Sequence, residues 1–287
     1  MTVLTTVSEV RAWLHDHDRA NKSVGLVPTM GFLHDGHKSL IERAHADNDI
    51  VIVSDFVNPI QFGEGEDYSS YPRDLDHDHE LATAAGADVV FHPSVEELYP
   101  AGAATEVEVK APLTHVLCGA SRPIHFKGVT TVVAKMLNIV GPDRVYFGQK
   151  DAQQTVVVAQ MIRDMLIPVQ MIVCPIVREA DGLALSSRNT YLDAEQRKAA
   201  LVLHRALDQA AERFAGGERS AGALRGLVRE TIEEQPQANI EYVEIVDAHT
   251  LDQIDTIESG HQALAAVAVR FGDTRLIDNC LLGIEGG

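Results

Sequence analysis

Paired cysteines are missing from this chain. The three present, Cys118, Cys174 and Cys280, are scattered and odd in number, which excludes a disulfide framework and a paired-cysteine metal motif and fits a reducing cytoplasm. Cations are scarce: 24 Lys and Arg stand against 42 Asp and Glu, a net charge of −18. A general nucleic-acid binder is basic, so DNA and RNA are not expected partners. No uninterrupted apolar run is long enough to span a bilayer, so no membrane partner is expected. The first ten residues have neither a basic start nor a long apolar core, so no signal peptide is expected. Internal repeats and low-complexity tracts are also lacking. What remains is 287 residues, 45% hydrophobic, enough for two domains or one large one with a packed core. An acidic chain that binds a polyanion must gather its few cations locally, so each Lys or Arg beside a glycine turn carries weight.

Apolar, β-branched runs recur at 24–27, 50–54, 88–91, 144–147 and 169–174. They are continuous, as parallel strands buried on both faces are. Helical periodicity fills 7–20, 38–46, 74–85, 129–140 and 152–165. The alternation predicts an α/β fold, a Rossmann-like doubly wound parallel sheet. Residues 106–109 alternate like a further strand exposed on one face, and 63–71 read as a lid-like loop. The boundary falls after 176. Residues 1–176 then form the Rossmann-like domain that binds the ligands. Residues 177–287 form a smaller C-terminal α+β domain that covers the active site, with helices at 193–214 and 220–234 and strands at 240–246, 264–271 and 276–281. The run Asp76-His77-Asp78-His79-Glu80 resembles a metal site, but on a helix those side chains spread around the axis, and a solvated acidic face is expected. His15 and His17, two apart on a helix, diverge as well, and no protein metal site is expected.

The stretch around which the chain is organised is Pro28-Thr29-Met30-Gly31-Phe32-Leu33-His34-Asp35-Gly36-His37. A glycine-containing turn at a strand's C-terminal end delivers two histidines to a helix start, where a doubly wound sheet binds its ligands. Free backbone N–H groups and the helix dipole favour a phosphate there. Gly148-Gln149-Lys150-Asp151 repeats that geometry with a lysine, and Gln154 follows in the first helical turn. Leu185-Ser186-Ser187-Arg188 sets two hydroxyls beside an arginine, a second phosphate clamp. Thus the cations His34, His37, Lys150 and Arg188 sit at turns suited to phosphates, and the amides Asn58, Gln61 and Gln154 sit at neighbouring strand ends. Amides hold a carboxylate without neutralising it. No Ser-His-Asp set or reactive cysteine calls for a covalent intermediate.

With Phe56-Val57-Asn58-Pro59-Ile60-Gln61-Phe62 and Phe147-Gly148-Gln149-Lys150-Asp151-Ala152-Gln153-Gln154, four motifs stand in order. The chain resembles the pantothenate synthetase (pantoate–β-alanine ligase) family of the His-x-Gly-His nucleotidyltransferase superfamily over about 24–192, with a weaker echo at Asp278-Asn279. The resemblance implies ATP and Mg²⁺, a pantoyl adenylate formed from ATP and pantoate, attack by β-alanine, and a cytoplasmic homodimer. It implies ATP contacts at Met30, Gly31, Phe32, Leu33, His34, Asp35, Gly36 and His37. Further ATP contacts fall at Gly148, Gln149, Lys150, Asp151, Val177, Leu185, Ser186, Ser187 and Arg188. Pantoate and β-alanine fall to Gln61, and pantoate to Gln154, with Asn58 beside them. His37 becomes the proton donor. Two positions depart from the pattern: Gln149 replaces the usual Glu, and Ala152 the usual aromatic. A nucleotidyltransferase acting on a phosphorylated acceptor, and a non-catalytic nucleotide sensor, are the rival readings. The first needs a second cation cluster, and the second has no need of Gln61 and Gln154.

Overall fold

A computed structural model of the chain describes residues 1–283. Its order is β1 (Thr2–Leu4), α1 (Val7–Asp16), β2 (Val24–Thr29), α2 (Asp35–Asp47), β3 (Ile50–Asp55), α3 (Leu75–Ala84), β4 (Val89–Phe91), α4 (Val95–Leu98), α5 (Cys118–Ser121), α6 (His125–Val140), β5 (Arg144–Gly148), α7 (Ala152–Asp164) and β6 (Gln170–Cys174). There follow α8 (Ala194–Ala199), α9 (Val202–Ala215), α10 (Ala221–Glu233), β7 (Ala238–Asp247), β8 (Ala263–Phe271) and β9 (Thr274–Leu282).

The packing separates into two compact units. Unit one comprises Met1–Lys110, Arg122–Gly148 and Val157–Pro175; unit two comprises Ala111–Ser121, Gln149–Val156 and the chain from Ile176. A single cut after 176 does not reproduce this division, because two segments of the first part join the second unit. Their side-chain bonds say why. Gln153, 5% exposed, accepts the Cys118 N–H at 2.9 Å and donates to the carbonyls of Leu113 and Val116 at 2.8 and 2.7 Å. Asn279 of β9 donates to the carbonyls of Gln149 and Lys150, both at 3.0 Å.

Unit one is built on a six-stranded parallel sheet in the order β1-β4-β3-β2-β5-β6. All six residues of β3 are buried, as the unbroken run Ile50–Ser54 predicts for a strand covered on both faces. Helices α2 and α3 pack on one side through Leu40, Ile41, Ala44 and Ala82. The chain order reverses direction between β2 and β5. There β2 pairs with β3 through Thr29 but with β5 only at Gly25 and Leu26. The C-terminal halves of β2 and β5 therefore part, which opens the crevice where such sheets take ligands. Unit two carries an antiparallel sheet, β7-β8-β9, with α8, α9 and α10 packed on it through Ala199, Leu203, Leu207, Leu224 and Ile232. The α/β class with a smaller α+β part is therefore observed.

Some elements differ from the sequence reading. Strand β1 was not anticipated; its three residues pair with β4 at the sheet margin. Residues 106–109 form no strand. Instead the Thr131 hydroxyl accepts the Val107 N–H at 2.9 Å, and the Thr130 hydroxyl donates to the Val107 carbonyl at 2.6 Å, so side chains replace a ladder partner. The single helix expected over 193–214 is two, α8 and α9. Its turn tightens to bonds from Leu201 N–H to Lys198 O and from Leu203 N–H to Ala200 O. Helix α6 begins at His125, ahead of the expected start at 129, and is capped by Gly141 in the left-handed region (φ 57°). Among the described residues, no helix is long and apolar enough to cross a membrane.

Candidate active site

Strand β2 ends at Thr29, and the chain turns sharply before α2. Gly31 (φ 76°) and Phe32 (φ 50°) both take the left-handed region. Gly31 is required there twice over, since a Cβ would collide with the Asp55 carboxylate. Phe32 is strained in the same region. His34 then serves as the N-cap of α2. Its Nδ1 accepts the Gly36 N–H at 3.2 Å, and the Nδ1 of His37 accepts the His34 N–H at 3.3 Å. An imidazole that accepts through Nδ1 carries its proton on Nε2. Both rings are thereby set in one tautomer with centroids 4.1 Å apart. Asp35 is exposed in the first helical turn, where an acid suits the helix dipole.

Free backbone N–H groups, expected on this turn, are a point for correction. Gly31 N–H bonds the Thr29 hydroxyl at 3.2 Å, and the N–H groups of Phe32 and Leu33 go to the Asp78 carboxylate at 2.6 and 2.5 Å. Those of His34 and Gly36 go to the histidine rings. The N–H groups of Gly31, Phe32, Leu33, His34 and Gly36 are thus all engaged within the chain. The expected solvated face on α3 holds at Asp76, His77 and Glu80, which are exposed, but not at Asp78, which is 1% exposed. Burial pushes the Asp78 carboxyl up, Asp55 adds to the rise, and the two N–H groups oppose it. Asp55 in turn meets His92 Nδ1 at 3.2 Å, and that carboxylate raises the imidazole above its ordinary value.

Asn58 and Gln61 lie after β3, also in unit one. Gln61 is 7% exposed, takes an N–H of Asn58 on Oε1 at 3.0 Å, and donates from Nε2 to the thioether of Met30 at 2.9 Å. Asn58 also donates to the Gly128 carbonyl at 3.1 Å and accepts the Tyr99 hydroxyl at 2.8 Å. Its amide is thus occupied in orienting Gln61, where the sequence reading set it beside the substrates. Helix α6 approaches closely because residue 128 is glycine: a Cβ there would lie 2.5 Å from the Gln61 Cα. His125 Nδ1 meets the Gln61 carbonyl at 3.0 Å. Tyr99 and Asp78 were missed in the sequence, Asp78 because four neighbouring acids and histidines masked it.

The remaining candidates, Gly148 excepted, lie in unit two. Gly148 closes β5, and Gln149, Lys150 and Asp151 form a 3-10 turn before α7. Lys150 Nζ lies 3.6 Å from Asp151, with 22% of its side chain exposed. Gln149 Nε2 donates to Asn279 Oδ1 at 3.2 Å, a bond that the usual Glu has no proton to make. Asn279 is held by Asp278, which accepts its N–H at 2.8 Å and takes both guanidinium nitrogens of Arg178 at 2.7 and 3.0 Å. Val177 accepts the Leu185 N–H at 3.0 Å, closing the hairpin that bears the serine-arginine loop. Ser186 accepts the Arg188 N–H at 3.3 Å, and Ser187 is buried. Asp193, as expected, caps α8. Gln154 is half-buried in the first turn of α7.

The Pantoate-beta-alanine ligase family model matches residues 2–281. Pantothenate synthetase of Pelotomaculum thermopropionicum is 54% identical over 283 residues, 99% of each chain. The crystal structure of pantothenate synthetase from Thermus thermophilus superposes with a TM-score of 0.93 at 48% identity, covering 99% of this chain and 100% of that one. The pantoate-β-alanine ligase of Francisella tularensis, complexed with β-γ ATP and β-alanine, gives 0.80 at 34% identity, over 98% and 97% of the two chains. Matched from end to end by that model and by relatives of this similarity, the chain belongs to the pantoate–β-alanine ligase family.

Proposed function

We propose that this ATP-dependent pantoate–β-alanine ligase works through a pantoyl adenylate. A pantoate carboxylate oxygen attacks the α-phosphorus of ATP, and the bond to pyrophosphate breaks. The β-alanine amine then attacks the acyl carbon, and AMP leaves with the bonding pair. Support for this order comes from what the chain holds at its turns: cations suited to a triphosphate, amides suited to an unneutralised carboxylate, and no side chain arranged as a nucleophile. The observation that carries it is the histidine pair, each ring accepting through Nδ1. That bonding leaves Nε2–H as the donor, so His37 gives hydrogen-bond stabilisation to departing pyrophosphate, with His34 alongside.

In this reading Met30 to His37 line the nucleotide, as do Gly148 to Asp151, Val177, and Leu185 to Arg188. Lys150 and Arg188 balance phosphate charge. Gln61 holds pantoate and β-alanine, Gln154 holds pantoate, and Asn58 acts through Gln61. Mg²⁺ arrives with the nucleotide on phosphate and water oxygens, since Asp78, the buried acid of this turn, spends its oxygens on N–H groups. The enzyme is cytoplasmic and homodimeric.

The test is isotope exchange. ATP, Mg²⁺ and pantoate, without β-alanine, should exchange labelled pyrophosphate into ATP. His37→Ala and Lys150→Ala should each slow that exchange at least a hundredfold, about 2.7 kcal/mol of transition-state stabilisation. Exchange that strictly requires β-alanine sinks the two-step order.

A further inference from the structure

We propose that Asp78 is a positioning residue for adenylation, gripping the strained turn Gly31-Phe32-Leu33 from behind so that His34 and His37 keep their geometry. The inference rests on the reading of the histidine pair given above. Between β2 and α2 the chain must reverse within a few residues, and it does so through two consecutive left-handed residues, of which Phe32 is not glycine. Such a conformation persists only where the surroundings hold it. The first turn of α3 supplies that hold. Asp78 takes the N–H groups of Phe32 and Leu33 on its two oxygens, Oδ2 at 2.6 Å and Oδ1 at 2.5 Å. His77 Nε2 meets the Leu33 carbonyl at 3.0 Å. The Leu33 side chain, 3% exposed, is anchored in the core with Leu40 and Ile41.

A carboxylate is the one short side chain that accepts both N–H bonds at once with equivalent oxygens. An amide of the same shape accepts one and opposes the other with its own N–H. The residue after the gripped pair is His34, whose N–H ends on His37 Nδ1 and whose own Nδ1 accepts from Gly36. A turn released at Phe32 shifts the N-cap, and with it the bonds that set both tautomers. Asp78 touches no reacting atom in this account. It transmits order through the backbone.

The test uses the full-length enzyme. Asp78→Asn should lower kcat of pantoate-dependent pyrophosphate exchange about 30- to 100-fold while leaving KM for pantoate within about twofold, because the amide pocket is untouched. In the ¹⁵N spectrum of the ATP-free protein, the His34 and His37 rings should lose their fixed Nε2–H pattern. Wild-type kcat and ring spectra in Asp78→Asn would overturn the proposal. Should the variant not fold, the wild-type amides decide: Phe32 and Leu33 N–H must be protected from hydrogen exchange, and rapid exchange at both rejects the grip. His37→Ala separates the two readings. Normal exchange in that variant removes the proposed function, whereas a dead His37→Ala beside a wild-type Asp78→Asn removes only the role of Asp78.

Discussion

At the scale of single residues, the chain uses uncharged amides where ion pairs would be stronger. Gln61 faces its task with Oε1 already occupied by Asn58 and with a thioether as the acceptor for Nε2. A thioether is a weak acceptor, so under the proposed function a substrate carboxylate or hydroxyl would displace it at little cost. Asn58 cannot offer the same, because its amide is committed to Gln61, Gly128 and Tyr99. Gln61→Ala should therefore reduce kcat/KM for pantoate at least a hundredfold, about 2.7 kcal/mol, while calorimetry finds ATP affinity within a few-fold of wild type. A variant that loses ATP binding but keeps its pantoate dependence would reverse the assignment. These residue types were legible from spacing alone. Their partners were not, because Tyr99 and Gly128 lie 41 and 70 positions from Asn58 in the chain.

At the scale of elements, the loop 63–71, read from its polar composition as lid-like, is tied down: Tyr71 is buried against Phe62, Tyr68 meets Phe62 and Arg73, and Glu66 is held by an ion pair. Glu66 accepts from Arg122 Nε and Nη2 at 2.6 and 2.7 Å and from the Gly63 N–H at 3.1 Å. Burial pushes the Glu66 carboxyl up, but Arg122 outweighs it and holds the group at about 2, against an ordinary value of 4.5. A depressed carboxylate contributes stability in full above its unfolded value, and loses it as pH falls from about 4.5 toward 2. A partly exposed pair of this kind is worth about 1 kcal/mol. Glu66→Gln should thus melt roughly 2–4 °C below wild type at pH 7, and the gap should close as pH falls through that window. A gap that is constant with pH would mean that the ion pair is not its source. Other elements show how far local pattern reaches. Runs such as Ile50–Ser54 became strands because their apolar residues are buried on both faces, whereas 106–109 alternated equally well and found hydroxyls in place of a neighbouring strand.

At the scale of the molecule, one edge of the six-stranded sheet is β6, with no strand beyond it among the described residues. Val173 is 44% exposed there, and Met165 and Leu166, at the end of α7, are 50% and 86% exposed. An unpaired strand with apolar neighbours is a template for a further strand, and a second copy related by a two-fold axis offers the same strand to it. If the proposed homodimer uses this edge, Val173→Lys with Leu166→Lys should convert the dimer to monomer in light scattering with little change in melting temperature. Wild-type protein that is monomeric at micromolar concentration ends the dimer proposal, and a variant that stays dimeric moves the interface elsewhere.

Local order along the chain was sufficient for the α/β class, for most strand and helix positions, and for the turns that carry His34, His37, Lys150 and Arg188. Strand and helix periods are short-range, and turn chemistry is confined to a few consecutive residues. Long-range contacts decided the rest. They sent 111–121 and 149–156 to the second unit through Gln153 and Asn279. They buried Asp78 in a run that reads as solvent-facing, and through it they closed the N–H groups of Phe32 and Leu33, which the glycine turn was expected to leave open. Each of these depends on a buried polar group finding its partner across tens of residues. The cost of leaving such a group unpaired selects the partner only once the chain has folded.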